Sequence, residues 1–173
     1  VVATPGAPAW CGAVADVFLL PTAVDGEQRF RLVERTELDA SDIAVTALNS
    51  FDPTRRLAEV GELPAEMGTL PAPGAHVIGL VTVLASAESL GVAQWCVDTA
   101  AAYACDRVQF GRPIGQFQAV KHRCAEMLCS LETSRALVWD ALAALDREDE
   151  GWMIAVDAVA SVAPQAAFDI AKD

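Results

Sequence analysis

From His76 to the end of the chain the apolar residues recur every three or four positions; before about residue 63 they do not. This change of period constrains the fold more than any other feature, because a repeat near 3.6 residues gathers side chains onto one stripe when the backbone is helical. The pattern is broken twice, which predicts three helices: about Ala75 to Cys105, about Phe117 to Leu145, and about Gly151 onward. The first is apolar on most faces, so a central place in a bundle is expected. The second puts Phe117, Val120, Cys124, Met127, Leu128, Leu131, Val138, Leu142 and Leu145 on one stripe. Pro164 falls inside the third and removes a helical hydrogen bond, which predicts a kink or weak point. Three long antiparallel helices on short connections call for a fourth to close an up-down bundle, and it is not in this sequence.

The N-terminal part reads as strands. "ADVFLLP" (Ala15 to Pro21) is a short buried run, Asp25-Gly26 offers a hairpin turn, and "RFRLVER" (Arg29 to Arg35) alternates in part. "DIAVTAL" and "RRLAEVGEL" lie on either side of "NSFDPT", where Asp52-Pro53 favours a turn. A small antiparallel sheet or open barrel is expected. Pro64, Pro71 and Pro73 with Gly68 and Gly74 mark a boundary. The fold class is α+β: a partial β domain over residues 1–63, a linker over 64–75, and an incomplete helical bundle over 76–173 with three of four helices.

Composition narrows function. A net charge of −12 leaves no basic stripe to displace counterions, so nucleic acid is excluded as a partner. No apolar run reaches the roughly 18 uninterrupted residues of a membrane span, so no membrane partner is expected. Cys11, Cys96, Cys105, Cys124 and Cys129 form no CxxC or His-paired metal spacing; they imply thiols in a reducing cytoplasm and no metal site. The N-terminal "VVATPGAPAW" lacks a basic region followed by a long apolar core, so no leader is expected. The chain starts without Met and ends on a helical pattern at "FDIAKD", as a piece of a longer protein would.

The break between the first two helices is unusual. "YACDRVQFGRPIGQFQAVKHRCAEM" carries Arg107, Gln109, Phe110, Gly111, Arg112, Phe117 and Gln118 where small polar residues are the norm. Arg107 has two readings on residues alone: a cation at a helix C-terminus, or a ligand group. Phe110 and Phe117 are equally readable as core anchors, and Gln118 as a local cap. His76 and His122 have no carboxylate or Cys at a recognisable spacing and are taken as structural or solvated.

This stretch resembles the C-terminal domain of the acyl-CoA dehydrogenase family. In that family a helix ending in Tyr is followed by Arg-x-x-Phe-Gly-x-x-Ile, and a Phe-Gln pair opens the next helix; here these are Tyr103, Arg107, Phe110, Gly111, Ile114, Phe117 and Gln118. "SLGVAQWCVDTA" is similar to the family's small-residue helix, with Gly91 and Ala93 at close-packing positions. "ADVFLLPTAVDG" and "FDPTRRLAEV" resemble strands of its middle β domain. The resemblance covers nearly the whole chain and is strongest over residues 89–131. It implies that Arg107, Gln109, Phe110, Phe117 and Gln118 contact the flavin adenine dinucleotide (FAD) of a neighbouring subunit. It also implies an acyl-CoA substrate, α,β-desaturation of the thioester, a homo- or hetero-tetramer, and electron-transfer flavoprotein as acceptor.

The family's reaction needs a carboxylate base. In most members it lies on a later segment than this chain reaches; in a minority it lies near the start of the first bundle helix, where alignment places Val81, followed by Thr82. Glu88 is the nearest carboxylate, about two turns further along and expected to face differently. Asp157 stands where the family usually carries Lys. No catalytic residue is therefore identified in this chain. It resembles either a subunit whose base lies elsewhere or a non-catalytic subunit of an actinobacterial heteromeric enzyme acting on steroid side-chain thioesters. A related acyl-CoA oxidase is a third reading.

Overall fold

The computed structural model describes residues 1–4, 6–62 and 69–172, which form two compact units, Val1–Ile78 and Gly79–Asp173. Of the expected linker, residues 64–68 lie outside the described residues.

In the first unit, β1 (Val17–Val24) and β2 (Glu27–Glu34) form an antiparallel hairpin from Val17↔Glu34 to Val24↔Glu27. Its turn is the predicted Asp25-Gly26, with φ of 52° and 81°. Positive φ at both central residues matches the right-handed twist of the strands, and Asp-Gly tolerates it well. Period-2 alternation buries Phe18 and Leu20, opposite Val33 and Arg31. Arg31, 3% exposed, donates from Nη2 to Thr22 Oγ1 at 3.0 Å, which satisfies part of a guanidinium inside an apolar face.

The strand expected to run through Arg35 stops at Glu34, where α1 (Arg35–Ala40) begins. Glu34 and Glu37 form a reciprocal capping box. The sequence hid this helix because its cap is Glu rather than Ser, Thr, Asp or Asn. Leu38 on its inner face is fully buried. β3 (Val45–Ala47) then pairs with β4 (Ala58–Val60), and Leu48 N–H donates to Leu57 O at 2.9 Å. The result corrects the expectation of one sheet or barrel: among the described residues this unit holds two separate two-stranded sheets. β4 gains one further neighbour as a single antiparallel bridge, Ala9 to Ala58, where Ala9 N–H donates to Ala58 O at 2.8 Å and Ala58 N–H to Ala9 O at 3.2 Å.

The second unit is helical: α2 (Gly74–Asp106), α3 (Gln118–Arg147) and α4 (Trp152–Lys172), the first beginning just ahead of the unit boundary. Buried positions alternate by three and four on each. Val83, Ser86, Leu90, Ala93 and Val97 line α2; Met127, Leu131, Ser134, Val138 and Ala141 line α3; Val156, Val159 and Ala163 line α4. Ser86 and Ser134 take core positions because each hydroxyl donates to the carbonyl four residues back, at 2.8 and 2.9 Å. Gly79 lets the helices close up, since a Cβ there would lie 2.7 Å from the Trp152 ring. Helix α4 runs unbroken through Pro164, which is exposed.

Four expectations need correction here. α2 is not buried on most faces: Leu80, Leu84, Val92, Trp95 and Tyr103 are all exposed, and only one stripe meets its neighbours. Gly91 belongs to that open side and has nothing within 4 Å of a built Cβ, whereas Ala93 is packed. Leu128, assigned to the α3 stripe, is 47% exposed. Both α2 and α4 are also long and apolar enough, by length and composition, to cross a membrane. Uninterrupted runs were the wrong criterion for them, because scattered Ser and Thr barely lower the average.

Candidate functional site

The large side chains between α2 and α3 form a built structure. Helix α2 ends at Asp106, and Arg107 N–H still donates to Tyr103 O at 2.9 Å. The chain then makes a hairpin of β5 (Val108–Gln109) and β6 (Arg112–Pro113), with Gln109 opposite Arg112. Ile114 N–H closes its base by donating to Arg107 O at 2.8 Å. A 3-10 turn at Ile114–Gln116 leads to Phe117, the N-cap of α3. Gly115 fits there for reasons of space: a Cβ would lie 2.9 Å from Ala104 O.

The turn itself is Phe110-Gly111, with φ of 52° and 77°. It has the same pair of signs as Asp25-Gly26, but a bulky aromatic occupies the first position. A left-handed conformation costs such a residue about 1–2 kcal/mol. Nothing buried repays it, since Phe110 is 92% exposed. Strain of this kind is held where the side chain is needed in a set place.

Phe110 meets Phe117 edge to face, centroids 6.1 Å apart at 87°. The Arg112 guanidinium lies 4.3 Å from the Phe117 centroid. Gln109 Nε2 donates to Val108 O at 2.7 Å, which ties that amide down. Arg107 is exposed, and among the described residues no hydrogen bond or ion pair engages its guanidinium. Gln118, also exposed, opens α3, whose N-cap makes no side-chain hydrogen bond and whose first turn has no acidic residue. The positive end of a 30-residue helix thus lies ten residues on from the unengaged Arg107, at Phe117 to Gln118. Between the last turns of α2, Ile114 and the first turns of α3 is a cleft of about 410 Å³ lined mainly by apolar residues, among them Tyr103, Ala104, Ile114, Val120 and Met127.

Of the five residues singled out in the sequence, Phe110 and Phe117 touch, Gln109 and Arg107 stand on the same hairpin, and Gln118 adjoins Phe117. The sequence did not reveal the stacking of Arg112, nor the cleft. Val81 is half-buried on α2 and offers no proton acceptor. Glu88 does not face away from it as expected: seven residues return to nearly the same side of a helix, and the separation is a rise of about 10 Å. His122 is exposed. Among the described residues no cluster of His, Cys, Asp or Glu has a metal-binding arrangement, and all five cysteines are free.

The family model "Acyl-CoA dehydrogenase, C-terminal domain" matches residues 82–173, more than half of the chain. The chain belongs to the acyl-CoA dehydrogenase family. Acyl-CoA dehydrogenase FadE34 of Mycobacterium tuberculosis is 40% identical over 163 residues, 94% of this chain and 22% of that protein. Acyl-CoA dehydrogenase IpdE2 of the same organism is 37% identical over 130 residues, 75% of this chain and 36% of that protein. The solved ChsE4-ChsE5 complex from Mycobacterium tuberculosis superposes with a TM-score of 0.75 at 28% identity, covering 96% of this chain and 46% of that one. The chain therefore spans less than half the length of these relatives. The acyl-CoA dehydrogenase fold is the α+β class expected from the change of period.

Proposed function

We propose that this chain is part of an FAD-dependent acyl-CoA dehydrogenase that desaturates a CoA thioester between its α and β carbons, with a fatty acyl or steroid side chain as the acyl group. The observation that carries this reading is the hairpin: an unengaged Arg107 at its base and a strained, exposed Phe110 at its tip. The donor set suits a flavin dinucleotide. Arg107 supplies a planar fork for a diphosphate. The uncapped start of α3 adds amide dipoles of the same sign. Phe110 offers a flat apolar face, Gln118 an amide that both donates and accepts, and Phe117 backs them. Gln109 contributes through its backbone-tied amide. When bound, FAD would supply the hydride-accepting chemistry of the reaction.

Because the hairpin projects from its own unit, its ligand belongs to an adjoining protomer in a homo- or hetero-tetramer. The acceptor for the electrons is electron-transfer flavoprotein. Val81 favours a second reading, since a chain with no base at that position completes a partner's flavin site without catalysing the step itself. The ChsE4-ChsE5 complex, a two-component relative, supports that alternative. The test uses the full-length protein, alone and with the protein encoded beside it. Flavin absorbance near 450 nm that is bleached by acyl-CoA is expected, with little oxygen consumed. No flavin in either preparation would end the proposal; rapid oxygen consumption would replace the dehydrogenase by an oxidase. Turnover by the chain alone at the rate of the complex would remove the non-catalytic reading.

A further inference from the structure

Arg112 is the one residue of the hairpin whose contact is as well defined as it was unforeseen. The chain has 24 Asp and Glu residues, yet among the described residues none of them pairs with this guanidinium. It lies instead over the Phe117 ring, 4.3 Å from the centroid, and the same ring takes the edge contact from Phe110 at 6.1 Å. Phe117 is the centre of this group of three, and Phe117 and Arg112 are fixed independently. Gly115 seats the 3-10 turn against Ala104 O, and Phe117 N–H donates to Ile114 O at 3.0 Å, so the Phe117 ring is anchored to the helices. Arg112 is held by its pairing with Gln109 across the hairpin. Phe110 has no such anchor of its own. Its backbone is in an unfavourable region and its ring is almost wholly exposed.

We propose that Arg112 is a positioning residue: stacked on Phe117, it holds the hairpin over the start of α3 and so fixes the angle at which Phe110 is presented to the flavin dinucleotide. The proposal rests on the dinucleotide reading of the hairpin and adds a residue to it. A cation over an exposed ring stabilises that geometry by an amount equivalent to about five-fold in an equilibrium constant. Arg suits the task better than Lys, because its planar group stacks as well as attracts.

The experiment uses the full-length protein with its flavin-bearing partner, labelled with 4-fluorophenylalanine and read by fluorine NMR, the signals of Phe110 and Phe117 being assigned by Phe→Leu variants. Arg112→Gln is expected to move both signals toward that of the free amino acid and to raise the FAD dissociation constant about five-fold. Arg112→Lys is expected to restore part of each effect. Combining Arg112→Gln with Phe117→Leu is expected to cost no more than Phe117→Leu alone, since both remove one contact. Unmoved fluorine signals in Arg112→Gln overturn the proposal, as does full additivity in the double variant, which would mean a direct grip on phosphate. Arg107→Ala separates the two levels of argument. If it leaves FAD binding intact, the dinucleotide reading fails, whereas loss of FAD in Arg107→Ala with normal binding in Arg112→Gln sinks only the positioning role.

Discussion

Glycine in this chain serves three different physical ends, and substitution by Ala separates them. At Gly115 the limit is space: the new methyl would meet a carbonyl oxygen on backbone that cannot step aside. Gly115→Ala is expected to destabilise by about 1–3 kcal/mol, the usual range for overpacking, and to lower the urea midpoint accordingly. At Gly26 there is open room but φ is +81°, so Gly26→Ala should cost only the left-handed strain of about 1 kcal/mol. At Gly91 neither limit applies, and Gly91→Ala is expected to stabilise by about 0.8–1 kcal/mol through helix propensity. A Gly91→Ala protein that unfolds at lower urea would mean that something not seen here packs on that face. At this scale the sequence was informative where chemistry is written in residue type, as at Arg107 and Phe110. It was silent on Arg112, because stacking depends on where a five-residue connection returns a ring and no spacing rule encodes that.

At the scale of elements, local bonds decide boundaries. Helix α1 is six residues long and depends on its capping box, so Glu37→Ala is expected to cost about 1 kcal/mol and to expose the first amides of that helix to faster hydrogen exchange. The turn from α3 to α4 is tied by Arg147 Nη2 to Asp149 Oδ2 at 2.6 Å. The Arg147 hydrogen bond holds the Asp149 carboxyl below its ordinary value, and its charge adds to the effect. A carboxyl depressed in the folded state contributes stability above its unfolded pKa of about 3.9 and loses it as pH falls through the folded value. Asp149→Asn should therefore lower the thermal midpoint slightly at pH 6 and by less as the pH falls below the unfolded value. Both partners are exposed, so a large loss at pH 6 would show the pair to be doing something more. The three long helices were legible in the sequence, because thirty residues of three-four alternation leave no other reading. The short elements were not. β5 and β6 are two residues each, and a Phe in place of Asn or Asp removes the usual turn signal.

At the scale of the whole chain, the open side of α2 is the main departure from what a self-sufficient bundle would display. Leu84 is 57% exposed and Trp95 67% exposed on one helix, with exposed Val92 between them and exposed Leu80 one turn before Leu84. Exposed apolar surface of this extent signals association. The 173-residue chain on its own is expected to bind a hydrophobic dye and to elute above its monomer size. Leu84→Glu with Trp95→Glu should reverse both, and light scattering in line with chromatography would read the change. If the wild-type chain runs as a dye-silent monomer, the face is covered by some other part of its own fold. The sequence disclosed the apolar character of α2 but not its exposure, since periodicity counts the faces that are apolar and says nothing about how many neighbours are present to cover them.

The two hairpins carry one backbone geometry and differ in who occupies it. Asp25-Gly26 uses a pair at ease with left-handed angles, whereas Phe110-Gly111 does not. A laboratory selection for heat resistance alone would therefore be expected to discard the aromatic, since Phe110→Asn relaxes the turn and leaves no hole behind. Such a protein would survive hotter and recognise less, a trade between durability and usefulness settled at one ring on the surface.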